Sequence, residues 1–102
     1  MDDGISPYLL DQAIEDGVLV EVFKVMWETL SQGKPIVVTR RLFADANQHL
    51  LFGVVTQFAR WKTTVMPTLP EEDRLYTDKV KGKTVWVIED PQAVTLLYPG
   101  EY

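Results

Sequence analysis

The sequence predicts an α+β domain: a small, mainly antiparallel sheet that ends in a three-stranded meander, with about three helices packed on it and clustered on one face. Three observations predict this. Apolar residues switch between helical and strand periodicity along the chain. The last three apolar segments are separated by two tight-turn signals. The chain has 102 residues, 46% of them apolar, which supplies one core and no second one. A single domain over 1–102 is therefore expected.

Ser6-Pro7 reads as a helix start, with Ser at the N-cap and Pro at the first helical position. Leu10, Ala13 and Ile14 share one face, and Gly17 stops the helix. Val18, Val20 and Val22 then alternate, which predicts a short strand. Phe23, Met26, Trp27 and Leu30 follow at helical spacing, and Gly33 and Pro35 end that segment. Pro35–Thr39 reads as a buried strand, with Thr39 placed to cap a short helix through Arg41, Leu42 and Phe43. Residues 48–62 give the clearest helix: Leu51, Val54, Val55 and Phe58 form its stripe, widened by Leu50 and Trp61. Residues 63–73, with Pro67 and Pro70, read as loop. Strands are expected over 74–80, 83–89 and 93–98, joined at Lys81-Gly82 and Asp90-Pro91. On the middle one, Val85 and Val87 oppose Trp86 and Ile88, so both faces need cover from the chain itself or from a partner.

Composition excludes several chemistries. The chain has no cysteine, so disulfides, zinc–thiolate sites and thiol nucleophiles are ruled out, and a reducing cytoplasm is the expected location. The acidic start lacks the apolar core of a signal peptide, and no apolar run is long enough to span a bilayer, so no membrane association is expected. Net charge is −5, but residues 35–70 carry one acid and four bases. The overall sign disfavours nucleic acid and leaves the middle as the candidate anion surface.

No cofactor, metal or catalytic set is expected. Lys81-Gly82-Lys83-Thr84 ends like a phosphate loop, but Thr77 replaces the required glycine and the following residues favour a strand. His49 has no ligand partner at i+4, where Gly53 stands. No Gly-x-Ser-x-Gly is present. The acid pairs Glu15/Asp16, Glu71/Glu72/Asp73 and Glu89/Asp90 all fall at turns or in the loop, where solvation keeps acids ionised and unfit for acid–base work.

The stretch Gln12-Ala13-Ile14-Glu15-Asp16-Gly17-Val18-Leu19-Val20 resembles the N-terminal signature of a family of small bacterial, phage and plasmid proteins of unknown function. Pro35-Ile36-Val37-Val38-Thr39 is similar to that family's P-(V/I)-x-(V/L)-T segment, and Leu97-Tyr98-Pro99-Gly100-Glu101 to its LPGE-like end. The resemblance implies a bacterial or mobile-element origin and no particular activity.

Two sets of residues remain as candidate sites. Phe52 lies off the apolar stripe of its helix, and Trp61 and Trp86 add to a heavy aromatic load, so these three are candidate interface residues. Arg40, Arg41, Arg60 and Lys62 are candidate anion-binding residues. The function expected first is a non-enzymatic module that binds a protein partner or forms a homo-oligomer. The alternatives are an anion or small-ligand binder using Arg40, Arg41 and Arg60 around one cleft, and a regulator of nucleic-acid processes.

Overall fold

Val22 hands its backbone N–H to the Ile36 carbonyl at 3.0 Å, and Val94 hands its own to Pro35 at 2.9 Å. These bonds join the two N-terminal strands to the C-terminal meander. In the computed structural model, which describes residues 7–101, five strands form one sheet. They are β1 (Leu19–Glu21), β2 (Ile36–Thr39), β3 (Tyr76–Val80), β4 (Lys83–Glu89) and β5 (Val94–Leu97), in the spatial order β1-β2-β5-β4-β3. The meander is present as expected, antiparallel through β3, β4 and β5. β1 pairs antiparallel with β2, and β2 pairs parallel with β5. That parallel pair is the centre of the sheet, and β2 has the composition such a position demands: Ile36, Val37 and Val38 are all fully buried.

Among the described residues four α-helices cover the sheet: α1 (Pro7–Glu15), α2 (Trp27–Ser31), α3 (Arg40–Asp45) and α4 (Gln48–Thr64). They do not cluster on one side. Leu10 of α1, with Ala13 and Ile14, packs on Leu19, Val37 and Ala93. The main core lies on the opposite face, where Leu51, Val54, Val55 and Phe58 of α4 meet Ile36, Val38, Val85, Val87, Val94 and Leu96. Leu42 of α3 and Trp27 and Leu30 of α2 join that core. The reason is parity: Leu19 and Val37 point away from α4 and need their own cover. Trp86 and Ile88 also face away from α4 and are half-buried.

Several elements differ from expectation for local reasons. The proposed cap Ser6 lies outside the described residues. The Val18–Val22 alternation holds only in part: Val22 is buried in the main core, but Val18 is exposed ahead of the strand, and Leu19 between them is buried under α1. The Phe23–Leu30 stripe is not one helix. Val22 is still tied to β2, so the chain must turn first; Phe23 adopts φ 57°, a 3-10 turn follows over Lys24–Met26, and only then does α2 begin. The Trp27 indole N–H bonds the Val22 carbonyl at 2.8 Å and fixes that turn. Thr39 precedes α3 without capping it, because its hydroxyl donates to Glu101 at 2.7 Å. Asn47 caps α4, accepting from the Leu50 N–H at 2.8 Å. α4 runs to Thr64, and the 63–73 segment contains 3-10 turns at Met66–Thr68 and Glu71–Asp73 rather than open loop.

The β3–β4 turn places both Lys81 (φ 52°) and Gly82 (φ 82°) in the left-handed region. This is the geometry of a type I′ hairpin, where Asn at the first position is preferred over a long side chain. Lys81→Asn is therefore expected to raise stability by about 0.5–1 kcal/mol in urea unfolding, since the left-handed conformation costs most L-residues ~1 kcal/mol.

Candidate functional site

The alternation of β4 places Val85 and Val87 on the α4 face, and Glu89 is the next residue of the same parity. A carboxylate is thus carried to the end of the main core. Two lysines meet it there. Lys62 reaches down from α4, with its Nζ 2.7 Å from Oε1 and 2.9 Å from Oε2. Lys34 comes from the segment just before β2, with its Nζ 2.7 Å from Oε2 and 3.0 Å from the Asp90 carbonyl. The Lys34 backbone is itself held, because the buried Ser31 hydroxyl bonds its carbonyl at 2.6 Å. Side-chain exposure is 16% for Glu89, 30% for Lys34 and 29% for Lys62. Burial pushes the Glu89 carboxyl up, but the hydrogen bonds and charges of Lys34 and Lys62 outweigh it and hold the group below its ordinary value.

The expectation that Glu89/Asp90 is a solvated turn pair is corrected here. Glu89 is half-buried and doubly paired, and Asp90 Oδ1 accepts from the Gln92 and Ala93 N–H groups at 2.8 and 3.0 Å, which closes the β4–β5 turn. A pH dependence follows. A depressed carboxyl contributes stability above its unfolded value near 4.5, and that contribution is lost as pH falls through the lower folded value. Urea unfolding across acid pH is expected to show a shallower loss of stability for Glu89→Gln than for the wild-type chain.

Beside the triad lies an open groove of about 460 Å³. Its apolar wall is formed by Trp61, Met66, Leu75 and Pro91, and its polar wall by Lys34, Lys62, Arg74 and Glu89. Trp61 is fixed by its neighbours, stacked on Phe58 at 6.0 Å and tilted against Tyr76 at 5.4 Å. Tyr76 donates its hydroxyl to Asp78 at 2.7 Å, which anchors the far ring. Leu75 is 40% exposed, so the apolar wall faces solvent at its edge. A smaller hollow of about 140 Å³ lies behind Lys62 and Glu89, beside Leu30 and Ala59.

No protein family, curated protein or solved structure matches this chain. The geometry therefore carries the functional argument.

The structure divides the candidate anion residues between two ends of the sheet. Lys62 sits where β4 ends and β2 begins, and Arg60 is two residues before it on α4. Arg40 and Arg41 follow the other end of β2 and share a hollow of about 530 Å³ with Asp16, Gly17, Val18 and Glu101. The three arginines do not surround one cleft. The Arg40–Arg41 hollow is the larger, yet its two cations face two acids and no aromatic ring lines it. Nearby, Tyr98 donates to Asp45 at 2.7 Å, with Arg41 and Lys83 5.8 and 5.6 Å from its ring centre. The Tyr98 bond, the largest influence, holds the Asp45 carboxyl low, with help from Lys83 and Arg41. An ionised acid therefore occupies that end too.

The candidate interface residues are likewise separated. Phe52 packs edge-on against Phe23, with ring centres 5.5 Å apart. Trp61 lines the groove, and Trp86 lies on the opposite face of the sheet. His49 is exposed in the first turn of α4. Among the described residues no group of three or more acids or histidines is placed to hold a metal, and no helix is long and apolar enough to cross a membrane.

Proposed function

We propose that this protein is a non-catalytic interaction module that captures an extended segment of a partner protein in the groove between α4 and the β3–β4 end of the sheet. One observation carries the reading: an open groove of about 460 Å³ whose apolar wall, Trp61 above all, is fixed in place by packed rings. The volume falls within the roughly 300–1,000 Å³ of ordinary ligand sites and suits one or two large side chains of a peptide. A preset aromatic wall lowers the ordering cost of binding, which favours capture over catalysis. The carboxylate nearest the groove is tied to two lysines and stays ionised, which suits a structural counter-charge better than proton transfer. The absence of cysteine, together with the resemblance at 12–20, 35–39 and 97–101, supports a cytoplasmic protein of a bacterium or its mobile elements.

Selection of a random peptide display library on the immobilised chain tests this. Enriched peptides are expected to share a large apolar residue and to lose binding to Trp61→Ala while keeping it for Arg41→Ala at the other end. No enrichment, or enrichment that ignores Trp61→Ala, overturns the proposal. Self-association through the same groove would appear as a dimer in sedimentation that Trp61→Ala abolishes.

A further inference from the structure

We infer that the groove recognises a carboxylate joined to a flat apolar group, the acid lying against Lys34 and Lys62 and the apolar part on Trp61. This rests on the groove being a binding site and names the chemistry it takes. Three cations line the groove, Lys34, Lys62 and Arg74, against the carboxylate of Glu89. Asp90 also borders it and adds a second negative charge, its Oδ1 accepting from two backbone N–H groups. An ammonium has three donors. Lys34 uses two, on Glu89 and the Asp90 carbonyl. Lys62 spends its bonds on the two oxygens of one carboxylate. Each therefore keeps a donor to offer, and each is close to 30% exposed. Glu89 holds both lysine heads in fixed positions, and three cations against two carboxylates leave the lining one positive charge in excess. A ligand carboxylate completes the neutralisation, whereas an amine adds to the excess.

The neighbouring surface decides what the acid must be attached to. Trp61 and Lys62 both line the groove, so the ring and the cation border one space. A flat group on Trp61 also meets Met66 and Leu75. The large Arg40–Arg41 hollow lacks this pairing of unspent cations with an aromatic wall.

The test titrates ¹⁵N-labelled protein at neutral pH with three probes of one shape: indole-3-acetate, its neutral amide, and tryptamine. The acid is expected to shift the Trp61 side-chain N–H and the Lys62 and Glu89 amides, with Kd on the order of 1 mM for so small a ligand. It is expected to bind about tenfold more tightly than the amide, the usual margin of a charge-assisted bond over a neutral one, and tryptamine should bind weakest. Lys62→Met keeps the stem and removes the charge, and should bring acid and amide within about twofold. Arg74→Gln, at an exposed position, repeats the comparison where Lys62→Met fails to fold, and should narrow the same margin.

The inference is overturned if amide or tryptamine binds as tightly as the acid. It is also overturned if the shifted resonances lie around Arg40 and Arg41, or if no probe binds. Acid binding without any selected peptide refutes the partner-protein reading and leaves this one standing. Selected peptides that show no preference for an acid do the reverse.

Discussion

Glu89→Ala is expected to lower the unfolding free energy by about 2–3 kcal/mol, because it leaves two partly buried ammonium groups facing each other without a counter-charge. The size follows from exposure. A fully buried pair that loses one partner costs ~3–5 kcal/mol, and an exposed surface pair costs ~0–1 kcal/mol. Here the carboxylate is 16% exposed and the lysines are near 30%, which places the triad nearer the buried limit. Removing all three charges together separates the value of the ion pairs from the cost of orphaning them. Lys34→Met, Lys62→Met and Glu89→Leu in one chain should return to within about 1 kcal/mol of wild type, since apolar replacements of similar volume restore packing and need no desolvation. The Asp90 carbonyl, released by Lys34, lies at the turn where water can reach it. Equilibrium urea unfolding of the single and triple variants measures both quantities. A Glu89→Ala loss below about 0.5 kcal/mol would mean that water already solvates the triad, as for an ordinary surface pair.

Only part of that triad is legible in the sequence. The parity of β4 is legible: Val85 and Val87 share one face, and the same count puts Glu89 beside them. An acid at an inward position calls for cations, and that signal was available. What was missing is which cations, because Lys34 and Lys62 are 55 and 27 positions away and meet Glu89 only through the sheet order. Tight turns, the meander and the α4 stripe depend on neighbours a few residues apart, so local chemistry predicts them. The β2–β5 parallel pair depends on chain crossing, and no local pattern announces it. The same limit separates Arg40 and Arg41 from Arg60: they share a basic stretch of sequence, but Arg40 and Arg41 open α3 directly after β2, whereas Arg60 lies near the far end of α4. Thr39 failed as a cap for a related reason, since Glu101 lies close in space and takes its hydroxyl.

Adjacent positions on α4 give the second large effect and its control. Leu51→Ala is expected to cost about 3–4 kcal/mol, the usual loss when a fully buried leucine leaves a cavity that the surroundings only partly fill. Leu51 has no exposed surface and sits among the strands of the main core. Phe52, one residue on, points elsewhere and is half-buried, with Phe23 edge-on at 5.5 Å. Phe52→Ala should therefore cost only about 1–2 kcal/mol, from partial burial and one aromatic contact. Its partner makes the prediction specific. Phe23 is held at a strained φ of 57°, and the ring contact is one of the interactions that hold it there. Phe23→Ala and Phe52→Ala should then be non-additive, with a coupling of about 0.5–1.5 kcal/mol in a double-mutant cycle. If Phe52 instead served a partner surface, Phe52→Ala would leave monomer stability unchanged and alter the sedimentation of the chain. The off-stripe aromatic that reads as an interface candidate in the sequence packs in the fold against Phe23 at the turn. The groove proposed for binding is bordered by Trp61, whose ring is braced by Phe58 and Tyr76.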